Sequence, residues 1–230
     1  SASAERTEIM MRYTIFGESH GPAIGVVMEG VPPGLLLDME FIRRQMMRRA
    51  PGQSNLSTPR KEADEMTLLS GVLEGKTTGA PLCAVISNTD TRSKDYEKLR
   101  RCPRPGHADY TGQIRYDGYN DIRGGGHFSG RLTAPLVFAG ALAQLYLQTR
   151  GVSVGAHIQE IGGVPDDAPD CVAWNKALFE SVRQKAFPVF SDQQGQKMQD
   201  VILEAKAAGD SVGGVIAAGI FGLPVGCGGP

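Results

Sequence analysis

No stretch of this chain reaches the ~18 uninterrupted apolar residues that a membrane-spanning helix needs. Its two most apolar runs, 132–147 and 212–227, are broken by proline, glycine or glutamine. An excess of one charge is missing too. The 24 basic side chains oppose 25 acidic ones for a formal net charge of −1, which argues against a general nucleic-acid or membrane-surface binder. The opening residues SASAERTEIMMRYTIFG lack an apolar segment behind a basic start, so no secretory signal is expected and residues 1–10 read as an upstream tail or linker. A soluble, cytoplasmic protein is the expectation. At 230 residues and 41% hydrophobic content, the chain can bury a core as one large domain or two small ones.

Cysteine is sparse and unpatterned. Cys83, Cys102, Cys171 and Cys227 form no CxxC pair and have no histidine at metal-ligand spacing, which predicts buried or inert thiols rather than disulfides or a zinc site. No metal is expected. The Walker loop and the GxGxxG turn are absent as well. Glycine, in contrast, is abundant: 30 residues, nearly twice the ~7% average usage. The glycines cluster beside charged residues without a period, a pattern that lets main-chain N–H groups approach a ligand.

Hydropathy patterning predicts a strand from Ile15, a loop GESHGPAIG, and a strand around residues 26–28. Asp38 is placed to cap a helix over 39–49. A polar loop follows over 53–64, then strands at 66–73 and 82–86. Residues 87–130 show no convincing element, and a segment that long reads as functional. Thr133 is expected to cap a buried helix reaching Gln148. A strand at 152–161, a surface insertion over 163–192, an amphipathic helix on Met198, Val201, Ile202 and Ala205 ended by Gly209, and a strand at 212–221 complete the chain. The class is α+β, or mixed α/β, because helices and strands interleave without regular βαβ spacing.

Three polar clusters carry the chemistry. His20 lies in FGESHG and His107 in RPGHAD, both glycine-bounded loops suited to proton transfer, although each imidazole could simply satisfy nearby backbone groups. Ser19 beside His20 is a poor nucleophile–base arrangement, because adjacent residues rarely orient for attack. The run Arg123-Gly124-Gly125-Gly126-His127-Phe128-Ser129-Gly130-Arg131 precedes the buried helix. It reads either as an anion cradle or as a tight turn with solvated arginines. Arg43, Arg44, Arg48, Arg49 and Arg60, joined by Arg92, Arg100, Arg101 and Arg104, concentrate positive charge in a neutral chain. A phosphate- and carboxylate-bearing ligand fits such a patch.

Taken together, FGESHG at 16–21, EGVPPG at 29–34, TPRKE at 58–62, TTGAP at 77–81, NTDTRSKDY at 88–96, RPGHAD at 104–109, RGGGHFSGRLTA at 123–134, GDSVGG at 209–214 and GLPVG at 222–226 resemble the chorismate synthase family in their order along the chain. The resemblance implies a β-α-β sandwich of two similar halves. It also implies a carbon–oxygen lyase of aromatic amino acid biosynthesis, which removes phosphate and a C6 proton from 5-enolpyruvylshikimate-3-phosphate to give chorismate. Reduced FMN (FMNH2) is the implied cofactor, required although no net redox change occurs. By motif match, His107 is the residue that protonates the reduced flavin, and His20 is the acid toward the leaving phosphate. Arg49, Arg60, Arg104, Ser129 and Arg131 are the implied substrate-binding residues. His127, Phe128 and Ser129 stand at the cofactor positions, where many members carry Arg-Ser-Ser. Ala50 and Asn55 stand where arginines are common.

Family members continue well past GLPVG, so residues 11–230 read as one domain that is incomplete at its C-terminal side, with a homotetramer implied for the complete enzyme. Fungal members reduce their own flavin with NADPH, and this sequence carries no independent signature of that activity. The competing reading is a phosphate- or flavin-binding fragment without turnover. A generic RNA-binding domain is disfavoured by the net charge and the lack of an RNP-type aromatic pattern.

Overall fold

A computed structural model describes residues 10–50, 64–89, 96 and 100–227. Arg60, Asn55, Arg92, nearly all of the expected tail and of the polar loop over 53–64 lie outside the described residues. The chain divides into two compact units, residues 1–53 with 59–145, and residues 54–58 with 146–230. The class is α+β, with antiparallel sheets in both units.

In the first unit, β1 (Arg12–Gly17), β2 (Ala23–Glu29), β3 (Thr67–Ser70) and β6 (Leu82–Ser87) form a four-stranded sheet in the order β1-β2-β6-β3. β4 (Val72–Leu73) and β5 (Lys76–Thr77) make a separate small hairpin. Alternation decides which face is buried. Ile24, Val26 and Met28 are buried, and they pair across the ladder with the buried Ile86, Ala84 and Leu82. Each fully buried aliphatic side chain here contributes roughly 1.5–3 kcal/mol, so these central strands anchor the loops at their ends.

Helix α1 (Met39–Arg49) begins as expected. The Asp38 carboxylate accepts the Phe41 N–H at 2.9 Å, a cap worth about 0.5–2 kcal/mol. Phe41, Ile42 and Met46 are its buried face. Its last turn carries Arg48 and Arg49, cations favourable at a helix C-terminus. α3 (Thr133–Gln148) buries Ala134, Phe138, Ala141, Leu142 and Leu145.

Several expectations need correction. β1 and β2 are longer than their patterns suggested, which shortens the loop between them to residues 18–22. The strand expected over 66–73 splits at Gly71, whose φ of +82° breaks the extended conformation and opens the β4–β5 hairpin. The segment 87–130 contains α2 (Asp109–Arg115) and a tight turn over Arg123–Phe128. Seven residues are too few for α2 to show a helical period. Thr133 is not a cap: its hydroxyl donates backward to the Gly130 carbonyl at 2.6 Å. Ser129 instead caps the one-turn 3-10 segment Gly130–Leu132, accepting from the Arg131 N–H. The thiols are not uniformly buried, since Cys102, Cys171 and Cys227 are exposed and Cys83 is intermediate, all of them free.

In the second unit, β7 (Ser153–Ile161) lies between β8 (Val164–Pro165) and β9 (Gly214–Phe221). α4 (Lys176–Arg183) and α5 (Asp192–Ala207) lie against β7. Ser191 caps α5, and Gly209, at φ +71°, follows its end. The expected surface insertion over 163–192 is instead structural. Phe179, Val182 and Val189 from it are almost fully buried. Phe179 and Phe190 also enclose the ring of the buried His157, with Trp174 at its edge. Among the described residues, no helix is long and apolar enough to cross a membrane.

Candidate active site

The loop after β1 carries the first histidine into the interior. Ser19 is fully buried and His20 is 8% exposed. Asn88, just past β6, clamps this loop by donating from Nδ2 to the carbonyls of Glu18 at 3.0 Å and Gly21 at 2.9 Å. Ser19 Oγ donates toward the carbonyls of Gly124 at 3.0 Å and Arg123 at 3.2 Å, and it lies 3.1 Å from His20 Nδ1. A hydroxyl has one hydrogen. With that hydrogen on a carbonyl, Ser19 accepts from His20 Nδ1 and is not activated as a nucleophile. Tyr96 meets the His20 ring edge-on at 5.0 Å.

The three consecutive glycines explain how two imidazoles share one wall. Gly124 and Gly125 have φ of +59° and +87°, a left-handed backbone that L side chains rarely adopt. Space imposes the same choice. A Cβ on Gly124 would overlap the His20 ring, and a Cβ on Gly125 would lie 2.8 Å from His107 Cε1 and 2.9 Å from Nε2. The bare backbone therefore brings His20 and His107 to neighbouring residues of one turn. Ser129 flanks the same place, its Cβ 3.6 Å from the position a Gly125 Cβ would take.

His107 is held from its other side. Asp109, the first residue of α2, is buried and places Oδ1 2.8 Å from His107 Nδ1. Arg104 grips the same carboxylate with Nε on Oδ2 at 2.8 Å, Nη2 on Oδ1 at 2.9 Å and its own N–H on Oδ2 at 3.0 Å. These bonds from the Arg104 side chain hold the Asp109 carboxyl far below the usual carboxylate range, against the opposing effect of burial. They likewise raise the Arg104 guanidinium. Arg123, at the start of the glycine turn, is committed in the same way to Asp121, with Nη2 2.7 Å from Oδ2, and lowers its carboxyl.

Arg49 and Arg131 converge on Asp64. Arg49 Nη1 donates to Asp64 Oδ2 at 2.5 Å, Arg49 Nε to Thr133 Oγ1 at 3.1 Å, and Arg49 Nη2 to the Gly130 carbonyl at 3.2 Å. Arg131 Nη1 donates to Asp64 Oδ1, and Nε to Asn88 Oδ1 at 3.3 Å. Asn88 thereby joins the arginine cluster to the His20 loop. Among the described residues, Asp64 is the carboxylate that the two guanidiniums share.

His127 and Phe128 face elsewhere. His127 Nδ1 lies 2.9 Å from the Gly17 carbonyl. Phe128 packs over Gly112 and beside Tyr116, with ring centroids 6.0 Å apart. Both line an open cleft of about 480 Å³ walled by Phe16, Tyr116 and Tyr119, with Asn120 and Asp121 also at its surface. Neither His20 nor His107 lines this cleft. Asn120 Oδ1 is buried without a hydrogen-bond partner. Aromatic walls suit a flat ring system.

Of the predicted site residues, His20, His107 and Ser129 gather around the glycine turn, Arg49 and Arg131 form the neighbouring cluster, and Arg104 supports His107. Arg60 lies outside the described residues. Sequence reasoning assigned no role to Asp64, Asn88 or Asp109. Asp109 stands two residues after a loop histidine, a local signal available from spacing. Asp64 and Asn88 carry none, because their partners are far away in sequence.

The comparisons with known proteins agree with one another. A family profile described as Chorismate synthase matches residues 11–230. A chorismate synthase from Thermococcus kodakarensis is 43% identical over 222 residues, covering 96% of this chain and 60% of the relative. One from Aeropyrum pernix is 44% identical over 231 residues, covering 100% of this chain and 60% of the relative. A solved structure titled "Crystal Structure of Chorismate Synthase" superposes with a TM-score of 0.70 at 25% identity, covering 93% of this chain and 58% of that one. The chain thus spans about 60% of the length of the curated relatives it matches.

Proposed function

The chain belongs to the chorismate synthase family, and from that premise we propose that its residues serve a carbon–oxygen lyase converting 5-enolpyruvylshikimate-3-phosphate to chorismate. The observation that carries the reading is the pair of histidines, His20 and His107, seated against consecutive glycines of one turn. Binding an anion needs arginines alone. Two buried-edge imidazoles beside them supply what an elimination needs, proton donors at positions where charge develops.

In this reading the C6–H bond breaks, its proton passing to water and its electron pair becoming a ring double bond, while the existing ring double bond shifts and the C3–O pair departs with phosphate. His20 gives a proton to the departing phosphate oxygen, held in place by Ser19 and the Asn88 clamp. Arg49 and Arg131 bind the substrate's anionic groups by exchanging part of their grip on Asp64 for phosphate or carboxylate oxygens, which match the guanidinium fork. Arg60 and Ser129 complete that set by motif. By motif, His127, Phe128 and Ser129 would hold FMN. Reduced FMN, when bound, supplies electron density that is returned, so the overall reaction is redox neutral. His107, with Asp109 2.8 Å from its Nδ1 and Arg104 Nη2 at 3.4 Å, serves the proton transfer to the cofactor that the family motif assigns to it. A cytoplasmic homotetramer is the assembly this reading carries for the full-length polypeptide.

The test is an anaerobic assay with reduced FMN and 5-enolpyruvylshikimate-3-phosphate, following phosphate release and the flavin spectrum together. It is run on this chain and on a form extended to the length of the relatives. Phosphate release with a transient flavin change in either form supports the lyase. A perturbed flavin spectrum without release from the extended form would leave a phosphate- and flavin-binding module instead.

A further inference from the structure

We propose that Asn88 is a positioning residue that holds the His20 turn and Arg131 in register with each other, one end of its amide serving each. This deepens the function proposed above and rests on it for its catalytic meaning, though not for its geometry. Asn88 follows directly on β6, whose last residue, Ser87, pairs with Ala23 at the start of β2. Its N–H donates to the Pro22 carbonyl at 3.1 Å and carries the ladder one step further. The side chain therefore leaves the sheet at the mouth of the 18–22 loop. Nδ2 has two hydrogens and two carbonyls to take them, Glu18 at 3.0 Å and Gly21 at 2.9 Å. These are the two ends of the turn that carries Ser19 and His20, closed by the Gly21 N–H on the Glu18 carbonyl at 3.0 Å. At the other end of the amide, Oδ1 accepts from Arg131 Nε at 3.3 Å.

The partners fix which end of the amide is which. A carbonyl only accepts and a guanidinium only donates, so turning the amide over would break all three bonds and oppose like groups at each. The turn is pinned a second time by Ser19, whose N–H donates to the Gly126 carbonyl at 3.2 Å and whose Oγ donates to that of Gly124 at 3.0 Å. His20 is thus held between the Asn88 amide and the glycine turn. A proton donor and an anion-binding guanidinium tied to one amide keep their spacing, and an error of about 1 Å in such a spacing can cost about 10²-fold in rate. The bland alternative is that only the Asn88 backbone matters, as the last rung of the ladder, with the side chain incidental.

Asn88→Asp separates the two. It keeps the shape, the backbone and an acceptor for Arg131, but it removes both hydrogens of the clamp and sets a carboxylate against two carbonyl oxygens. In the chain itself, the ring proton resonances of His20, assigned by their loss in His20→Gln, should move in Asn88→Asp and in Asn88→Ala, with circular dichroism showing both variants folded. In the extended form, each variant should lower kcat at saturating substrate by about 10²-fold. The same substitutions in a His20→Ala background should cost less than about 3-fold more, because residues that act through one another do not add. His20 resonances unmoved in a folded Asn88→Asp overturn the proposal. So does a kcat loss equal with and without His20, which marks an effect exerted on the fold or through Arg131 alone. An extended parent that releases no phosphate refutes the proposed function instead, and the His20 resonances still decide what Asn88 holds.

Discussion

Asp64→Ala tests the arrangement of the arginine cluster most severely. Asp64 has 1% side-chain exposure and divides its two oxygens between Arg131, with 2% exposure, and Arg49, with 19%. Removing the carboxylate leaves those arms unequally placed. Arg49 keeps Thr133 Oγ1 and the Gly130 carbonyl and can take up water. Arg131 keeps Asn88 Oδ1 but is sealed from solvent. The loss is that of breaking a buried ion pair from one side and comes to about 3–5 kcal/mol. For a chain of this size that corresponds to a fall in Tm of roughly 6–20 °C. Urea unfolding followed by circular dichroism measures it. Coupling supplies the internal control: Asp64→Ala combined with Arg131→Met removes both partners of the buried pair and should regain part of the loss. A single variant that loses less than about 1 kcal/mol, the value of an exposed pair, would refute the buried bridge. So would a double variant no more stable than the single one.

Other outcomes follow from the same geometry. Gly124→Ala should destabilise the chain by about 1–2 kcal/mol from the left-handed backbone alone, with the His20 clash added. The His20 ring proton resonances should move as well, and an unchanged NMR spectrum counts against the shared wall. In the extended form, His107→Ala should lower turnover by about 10²–10⁴-fold, and unchanged turnover in the phosphate-release assay removes His107 from the chemistry. The depressed carboxyls of Asp109 and Asp121 set a pH dependence. A carboxyl lowered on folding contributes stability that is present above its unfolded value, near 3.9, and lost as pH falls through the folded one. Asp109→Asn should flatten the acid limb below about pH 4, measured as Tm against pH, and an identical limb contradicts the ionised Asp109–Arg104 pair. In the second unit, Asp166 accepts the N–H groups of Phe190 at 2.7 Å and Ser191 at 3.0 Å and lies 3.2 Å from His157 Nδ1. Asp166→Ala should therefore lose about 2–6 kcal/mol, because two backbone N–H groups lose their acceptor at about 1–3 kcal/mol each, and a Tm within error of the parent would show those bonds to be replaceable.

What the sequence made legible depended on how local the determining interaction was. The α1 cap and the period of α5 each rest on neighbours within a few residues, and each helix formed where its pattern placed it. α4 was missed because its buried residues, Phe179 and Val182, are anchored by β7 rather than by any run of helical period. The same division holds in the site. The histidines announced themselves by residue type and glycine flanks. The carboxylates that govern the arginines did not, since Asp64 meets Arg131 across 67 positions of chain.

That omission changes the electrostatic reading. Counting arginines alone predicts a strongly positive pocket. The described arginines beside the histidines are instead matched, Arg104 by Asp109, Arg123 by Asp121, and Arg49 with Arg131 by Asp64. A buried guanidinium without a counterion is too costly to keep in the absence of ligand. The carboxylates therefore preserve the arginines in place and lower the net pull on any passing anion. An anionic ligand must then out-compete an internal carboxylate, which a phosphate does through its greater charge and third oxygen. Selectivity for phosphate over a lone carboxylate follows from that competition. It should weaken in Asp64→Ala, where the cluster loses one negative charge and acetate should stabilise the variant more than it stabilises the parent.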